Sequence, residues 1–314
     1  MWKLTSICEV KSGYTKLRKR KMGKGSQRKT KGIDILLQQL SKTKGGRIPN
    51  LNTFKIACTE EDAHAKLIGF KSLKSPEETD DFVHVVLKME TRPTTLVAKL
   101  QEPGRLLSME LNIQKKLQYQ SNIVHYICDF SCIFDSIIWK TPLRAPERFC
   151  VEKGTLYHMI LMEYIPWDLA NFLETQHYDE TILQSLVQQV GLSLLEIHIN
   201  HGISHNDIHR GNVLLDIDTP KDIVYTIGDF TKKVPTHGHE VVWIDFQRGN
   251  ILEDVDTGTM CQLASDEVSL AFELMSKWVK PEYKDDLQKR MRNVMLSKNI
   301  PELLDSICAN SSTS

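Results

Sequence analysis

The chain has 314 residues, with 40 Lys+Arg against 40 Asp+Glu, 41% hydrophobic and 25% charged residues. These values exclude an intrinsically disordered, collagen-like or disulfide-dense chain, and the length suits two domains or one domain of two lobes. The zero net charge hides an asymmetry: residues 1–50 hold 14 Lys+Arg and two acids, Glu9 and Asp34, while residues 51–314 hold 26 basic and 38 acidic residues, a net charge of −12.

The first residues, Met1-Trp2-Lys3-Leu4-Thr5-Ser6, run into charge and not into a signal-peptide apolar segment. No uninterrupted apolar run reaches the ~18–20 residues needed to cross a bilayer. No membrane partner is expected, and the expected location is intracellular, cytoplasmic or nuclear. Seven Cys, at 8, 58, 128, 132, 150, 261 and 308, are irregularly spaced, as suits reduced thiols. Cys128 and Cys132 are four apart, but no second pair lies near enough to complete a zinc site.

Residues 1–50 form a basic, flexible arm in this reading. Within it, 11–32 are rich in Lys, Arg, Gly, Ser and Thr, with a dense run at Lys16-Leu17-Arg18-Lys19-Arg20-Lys21. Such a segment cannot build a core. It reads equally as a solvated tail or as a nuclear-import or nucleic-acid-binding arm, since clustered cations displace counterions from phosphates.

Three strands are expected next, at Ala65–Phe70, Phe82–Leu87 and Thr94–Leu100, divided by the Pro/acid-rich break Ser75-Pro76-Glu77-Glu78. Leu106, Met109, Ile113 and Leu117 then recur at helical spacing. Asn122–Tyr126 and Tyr157–Met162 read as extended. From Leu183 to Ile197 one helix face stays apolar. A His- and Asp-rich loop covers 201–212, followed by short strands at Val213–Leu215, Ile223–Ile227 and Val241–Ile244. The last 50 residues are helical in pattern, with a flexible tail from 306 to 314. Strands thus dominate the first half and helices the second, an α+β plan.

The chemistry concentrates in two loops. In His205-Asn206-Asp207-Ile208-His209-Arg210-Gly211-Asn212 an Asp precedes an Asn by five residues, after a long helix and before an apolar strand. Further on comes Trp243-Ile244-Asp245-Phe246-Gln247-Arg248-Gly249. Two carboxylates and an amide on loops suit magnesium, which takes hard oxygen ligands, and phosphoryl transfer, which needs a group orienting the hydroxyl and a metal on the phosphates. His198, His201, His205 and His209 recur at spacings that also invite a zinc reading, but Gly202 argues against one continuous helix through them.

With these motifs the sequence resembles the protein kinase superfamily. The resemblance implies a two-lobed kinase-like fold, with a strand-rich N-lobe over 51–165, a hinge near 162–166 and a short helical C-lobe over 166–305. His205-Asn206-Asp207 matches the His-Arg-Asp loop, which makes Asp207 the residue that orients the substrate hydroxyl and Asn212 a magnesium ligand. Asp245-Phe246 matches the Asp-Phe-Gly element, which makes Asp245 the main magnesium ligand. Val97-Ala98-Lys99 resembles the strand lysine on the α- and β-phosphates of ATP, with Glu110 as its ion-pair partner. Leu161-Met162-Glu163-Tyr164-Ile165 resembles the adenine-binding hinge, with Met162 as gatekeeper, and Asp168 is expected near the ribose.

The match is closest to haspin-like kinases and to kinase-like proteins of large double-stranded DNA viruses. It rests there on His209, where most kinases have Lys, and on a lengthened hairpin over 225–245. That hairpin takes up the second Asp-Phe pair, Asp229-Phe230. Departures include the lack of a Gly-rich loop, Gln247 in place of Gly, Asn206 in place of Arg, and only a short chain after Asp245. Asp266 is the expected brace beneath the catalytic loop. The implied function is ATP- and Mg2+-dependent phosphorylation of a serine or threonine on a protein. Alternatives are a pseudokinase scaffold that binds nucleotide without turnover, and a small-molecule kinase with the same core residues.

Overall fold

The computed structural model describes residues 70–72, 85–90, 95–101, 104–133 and 156–309. The basic arm, the strand expected over 65–69, the link 73–84 where a Gly-rich loop was sought, and the tail 310–314 lie outside the described residues. Two compact units account for the rest. The first lies within Met1–Leu107 and His125–Tyr164, and the second within Ser108–Val124 and Ile165–Ser314. The fold is α+β, with antiparallel sheets and a helical second unit.

In the first unit, β1 (Phe70–Ser72), β2 (Val85–Glu90), β3 (Thr95–Gln101), β4 (Tyr126–Ile133) and β5 (Leu156–Glu163) form one antiparallel sheet in the order β1-β2-β3-β5-β4. The β-branched and aromatic residues in these segments suit pleated structure. β3 is central, so Lys99 lies between Val86 and Ile160 in register and is 3% exposed. The described parts of β1 and β2 overlap the expected strands at Phe70 and at Val85–Leu87, and the earlier residues of both expectations lie outside the described residues.

Helix α1 (Arg105–Leu117) follows β3. Ser108–Val124, part of the stretch read as the first lobe, clusters with the second unit. The reason is a buried polar node at Asn122, which has a left-handed φ of 62°. Its Nδ2 donates to the Val241 carbonyl at 2.8 Å, and its Oδ1 accepts from the Tyr225 hydroxyl at 2.6 Å. Gln189 completes the node, accepting from the Val241 N–H at 2.9 Å and donating to the His239 carbonyl at 2.8 Å. Burial pushes the Tyr225 phenol well above its ordinary range, so it stays a neutral donor.

The second unit is built around α3 (Glu180–His201), preceded by β6 (Trp167–Asp168) and α2 (Leu169–Thr175). Asp179 caps α3 through the Ile182 N–H, and Gly202, with φ 59°, ends it. By length and composition α3 could cross a membrane. Here it is a core helix, whose buried Ser185, Gln189, Ser193, Glu196 and His198 are matched by partners inside the fold. Gly191 allows close packing, since a Cβ there would meet Ile307 at 2.7 Å.

After α3 come β7 (Ile203–Ser204), a turn of tight helix at Arg210–Asn212, β8 (Val213–Ile217), β9 (Asp222–Ile227), β10 (Phe230–Pro235), β11 (His239–Trp243), a second tight turn at Phe246–Arg248, and β12 (Asn250–Ile251). β9 and β10 form the hairpin, with Gly228 and Asp229 at its tip. The Asp229-Phe230 pair therefore lies in the hairpin. β11 returns to pair with β8, giving a three-stranded sheet β11-β8-β6, while β12 pairs with β7. Helices α4 (Thr257–Trp278), α5 (Pro281–Leu296) and α6 (Ile300–Cys308) finish the unit. α6 runs past the expected boundary at 305, because Ile307 is fully buried against α3 and α4.

Candidate active site

The register of one small sheet assembles the loop chemistry. β8 and β11 pair with Val213 opposite Trp243, and the Ile244 N–H extends the ladder to the Asn212 carbonyl at 3.1 Å. Asn212 and Asp245 therefore leave the same end of that pair. β6 pairs Asp168 with Leu214, which brings Asp168 toward that end as well.

Asn212 is fully buried, and its side chain is divided in use. Nδ2 donates to the Asp207 carbonyl at 2.9 Å and to Asp207 Oδ2 at 3.2 Å. Oδ1 has no hydrogen-bond partner among the described residues. A buried acceptor left this way is costly in an ordinary loop, at about 1–3 kcal/mol. It suits a hard cation, which seeks carbonyl and carboxylate oxygens. Asp245 sits in the left-handed region at φ 63°, ψ 70°, immediately before the Phe246–Arg248 turn. An L-residue there is strained by about 1–2 kcal/mol, and the fully buried Phe246 holds it. The donor set thus fits magnesium, with Asn212 Oδ1 and Asp245 as the residues that would hold it.

Two supports fix the Asp207 loop. His205 is fully buried, donates from Nε2 to the Ile244 carbonyl at 3.0 Å, and packs on Phe246 and Trp243 at centroid distances of 4.6 and 5.6 Å. Burial pushes its imidazole below the ordinary range, so it is neutral. The second support is Glu267, in α4. Its carboxylate accepts from the His205 N–H at 3.1 Å and the Asn206 N–H at 2.5 Å. Asn206 is held there with a φ of 56°. The expected brace, Asp266, is exposed and accepts from Gln262 one helical turn away. The correction follows from helix phase: α4 starts at Thr257, and position 267 is the one turned inward.

Other expected residues fall as follows. Lys99 is buried in β3 of the first unit. Met162 is buried in β5 opposite Val97, and Glu163 ends that strand with its N–H on the His125 carbonyl at 3.0 Å. Tyr164 follows at the close of the first unit. Glu110 lies fully buried on α1, within the second unit. Asp168 caps α2 through the Asn171 N–H at 2.8 Å, and its other oxygen faces Arg210 Nε at 3.4 Å. The four loop and helix histidines each have a separate partner: Leu194 for His198, Gln120 for His201, Ile244 for His205 and Gly211 for His209. Among the described residues no three His, Cys, Asp or Glu side chains are grouped to hold a metal.

No protein-family model matches the chain. Among solved structures, the autoinhibited serine kinase domain of the giant muscle protein titin is similar, with a TM-score of 0.44 at 15% identity, over 78% of this chain and 83% of that one. In sequence, the serine/threonine-protein kinase haspin of Mus musculus is 30% identical over 101 residues. Over that segment the chain is similar to haspin. The match spans 32% of this chain and 13% of the length of haspin. The resemblance drawn from His209 after Asp207-Ile208 and from the hairpin before Asp245 points to the same relative.

Sequence reasoning missed two residues. Glu267 carries no apolar-pattern signal, because it flanks the buried stripe of α4. Arg248 was passed over as the second residue after Phe246, yet its Nη1 lies 3.8 Å from Asp207 Oδ1.

Proposed function

We propose that this haspin-like chain is an ATP-dependent protein kinase directed at serine or threonine. The observation that carries the reading is the Asp207–Asn212 pair. Asp207 orients the amide so that Nδ2 is used and the buried Oδ1 is left as an acceptor, at the end of the β8–β11 pair from which Asp245 also emerges.

Asn212 and Asp245 would hold magnesium, which would supply positive charge against the phosphates of ATP. The chain's own residues do the rest. Asp207 takes a hydrogen bond from the acceptor hydroxyl and aims its oxygen at the γ-phosphorus. As that oxygen–phosphorus bond forms, the bond from the γ-phosphorus to the bridging oxygen breaks and ADP departs. The hydroxyl proton passes to Asp207 and on to solvent. By the family resemblance Lys99 would neutralise the α- and β-phosphates, and Glu110 is the residue that the resemblance assigns as its ion-pair partner. Met162, Glu163 and Tyr164 line the adenine hinge, and Asp168 lies by the ribose. Most of the acceleration comes from positioning and charge, not covalent catalysis.

A pseudokinase reading is favoured by Gln247, which replaces Gly after Asp245-Phe246 and is buried with Nε2 unpartnered among the described residues. The test is γ-phosphate transfer from labelled ATP with magnesium to a mixed panel of acidic and basic proteins. Transfer by the wild type should fall about 10²–10⁴-fold in Asp207→Ala. Nucleotide binding with no transfer from either protein would favour the pseudokinase. Transfer unaffected by Asp207→Ala would remove Asp207 from the mechanism.

A further inference from the structure

Two buried polar atoms of opposite character lie at the junction beyond the β8–β11 pair. One is Asn212 Oδ1, an acceptor with no hydrogen-bond partner among the described residues. The other is Gln247 Nε2, a donor in the same condition. Asn212 is fully buried and Gln247 is 5% exposed. The chain keeps them close. The Ile244 N–H donates to the Asn212 carbonyl at 3.1 Å, and Gln247 is three residues further on. Three residues span at most about 11 Å when extended, and less where Phe246–Arg248 coils into its tight turn.

The main chain under Gln247 is anchored on both sides. Phe246 is fully buried, and the Gly249 N–H closes the turn on the Phe246 carbonyl at 3.0 Å. Gly249 has no room for a Cβ, with Ile113 Cδ1 at 2.8 Å and the Ser204 carbonyl at 3.0 Å. Asn250 pairs with Ser204 in the next step of chain. Adjustment is therefore left to the Gln247 side chain. His205 Nδ1 is a third unpartnered atom nearby, but its ring is bonded to the Ile244 carbonyl and packed on Phe246 and Trp243. The Gln247 amide has no such tether, so it can turn toward a ligand without giving up a bond.

A buried N–H without an acceptor is costly, and an apolar side chain of the same length would fill the position without that cost. The two orphans together say what would satisfy both. Asn212 Oδ1 suits a hard cation, and Gln247 Nε2 suits an anionic oxygen. A phosphate bound with magnesium presents both charges at one place. We propose that Gln247 is a phosphate-contacting residue, its amide donating to a phosphate oxygen of the nucleotide at the Asn212 end of the junction. The inference deepens the nucleotide-site reading and rests on it. It needs binding alone, so it holds for a kinase and for a nucleotide-binding pseudokinase.

The test compares the full-length wild type with Gln247→Met, which keeps side-chain length and removes the amide. Titration calorimetry measures binding of ADP and ATP, each with magnesium, and of adenosine, which has no phosphate. Urea midpoints are measured without nucleotide. In Gln247→Met, ADP and ATP binding should weaken about tenfold, the scale of one hydrogen bond to a charged acceptor, while adenosine binding stays unchanged. The nucleotide-free urea midpoint should rise, because the unpaired buried amide is gone. A purely structural residue would not move affinity and stability in opposite directions. Gln247→Gly should give the same selective loss, and it carries the test if the Met variant does not fold. Unchanged ADP and ATP affinity, with adenosine bound as before, would overturn the Gln247 assignment and leave the nucleotide site standing. An equal loss on adenosine and on both nucleotides would also overturn it. A wild type that binds neither adenosine nor nucleotide would sink the nucleotide-site reading, and this inference with it.

Discussion

The substitution Glu267→Gln, set against Asp266→Asn, separates a loop brace from its neighbour in sequence. Glu267 is 9% exposed and serves two backbone donors, His205 N–H at 3.1 Å and Asn206 N–H at 2.5 Å. A Gln keeps one acceptor oxygen and turns an NH2 toward the other donor. One largely buried N–H then loses its partner, at about 1–3 kcal/mol, and the surviving bond drops from charge-assisted to neutral, at about 1 kcal/mol. Asn206 also loses what holds it in the left-handed region. The sum is a destabilisation of about 2–4 kcal/mol. Asp266, exposed and bonded only within its own helix among the described contacts, should change stability by less than about 0.5 kcal/mol. Urea unfolding at fixed pH, read as a midpoint shift at constant slope, gives both numbers. An Asp266→Asn cost equal to or above that of Glu267→Gln would refute the assignment of the brace.

Two further expectations follow from the same geometry. Gly249→Ala drives a Cβ to 2.8 Å from Ile113 and 3.0 Å from the Ser204 carbonyl, so it should cost about 1–3 kcal/mol, while Gly228→Ala, at φ 56° with open space around it, should cost only about 1 kcal/mol; urea midpoints in the reverse order would contradict this. Burial holds the His205 imidazole below its ordinary value of about 6.5, so the unfolded chain binds a proton that the native chain refuses. Stability should therefore be full above that value and be lost as pH falls toward the folded value, and His205→Gln should flatten the slope; parallel slopes for the two proteins would remove His205 as the cause. His201, also depressed by burial, adds in the same sense, whereas Glu196, raised by burial, contributes stability that is lost as pH rises through its own value.

Much of this molecule was legible residue by residue. Leu106 through Leu117 and Leu183 through Ile197 announce their helices by spacing, and Thr95–Gln101 and Leu156–Glu163 announce strands by β-branched and apolar content. The order Asp207, Asn212, Asp245 was legible only in company with Lys99, Glu110 and the hinge residues, through the resemblance; alone, an Asp five residues before an Asn reads as an ordinary solvated loop. What could not be read is what depends on partners far along the chain. Gln189 looks like a polar blemish on α3 until Val241 and His239 are placed on it. Asn122 reads only as the first residue of an extended stretch until its amide meets Val241 and Tyr225. Glu267 and Asp266 differ only in helix phase, and the phase of α4 is set by its cap at Asp256, ten or more residues upstream. Arg248 gave no signal because an exposed arginine is common and its meaning comes only from its distance to Asp207.

The node at Asn122 also constrains the order in which the molecule can be made. Its bonds to Val241 and Tyr225 close loops of 119 and 103 residues. The chain leaves the ribosome from its N-terminus, so the segment 108–124 emerges long before the strands that receive it. Ring closures of that size are slow to form, and until they do the Asn122 amide and the neighbouring apolar residues Ile113, Leu117 and Ile123 face solvent. A nascent chain halted before β11 would have made every strand of the five-stranded sheet yet would lack the Val241 side of the Asn122 node. The interval between those two points of synthesis is when the newborn protein is most open to aggregation and most in need of a chaperone.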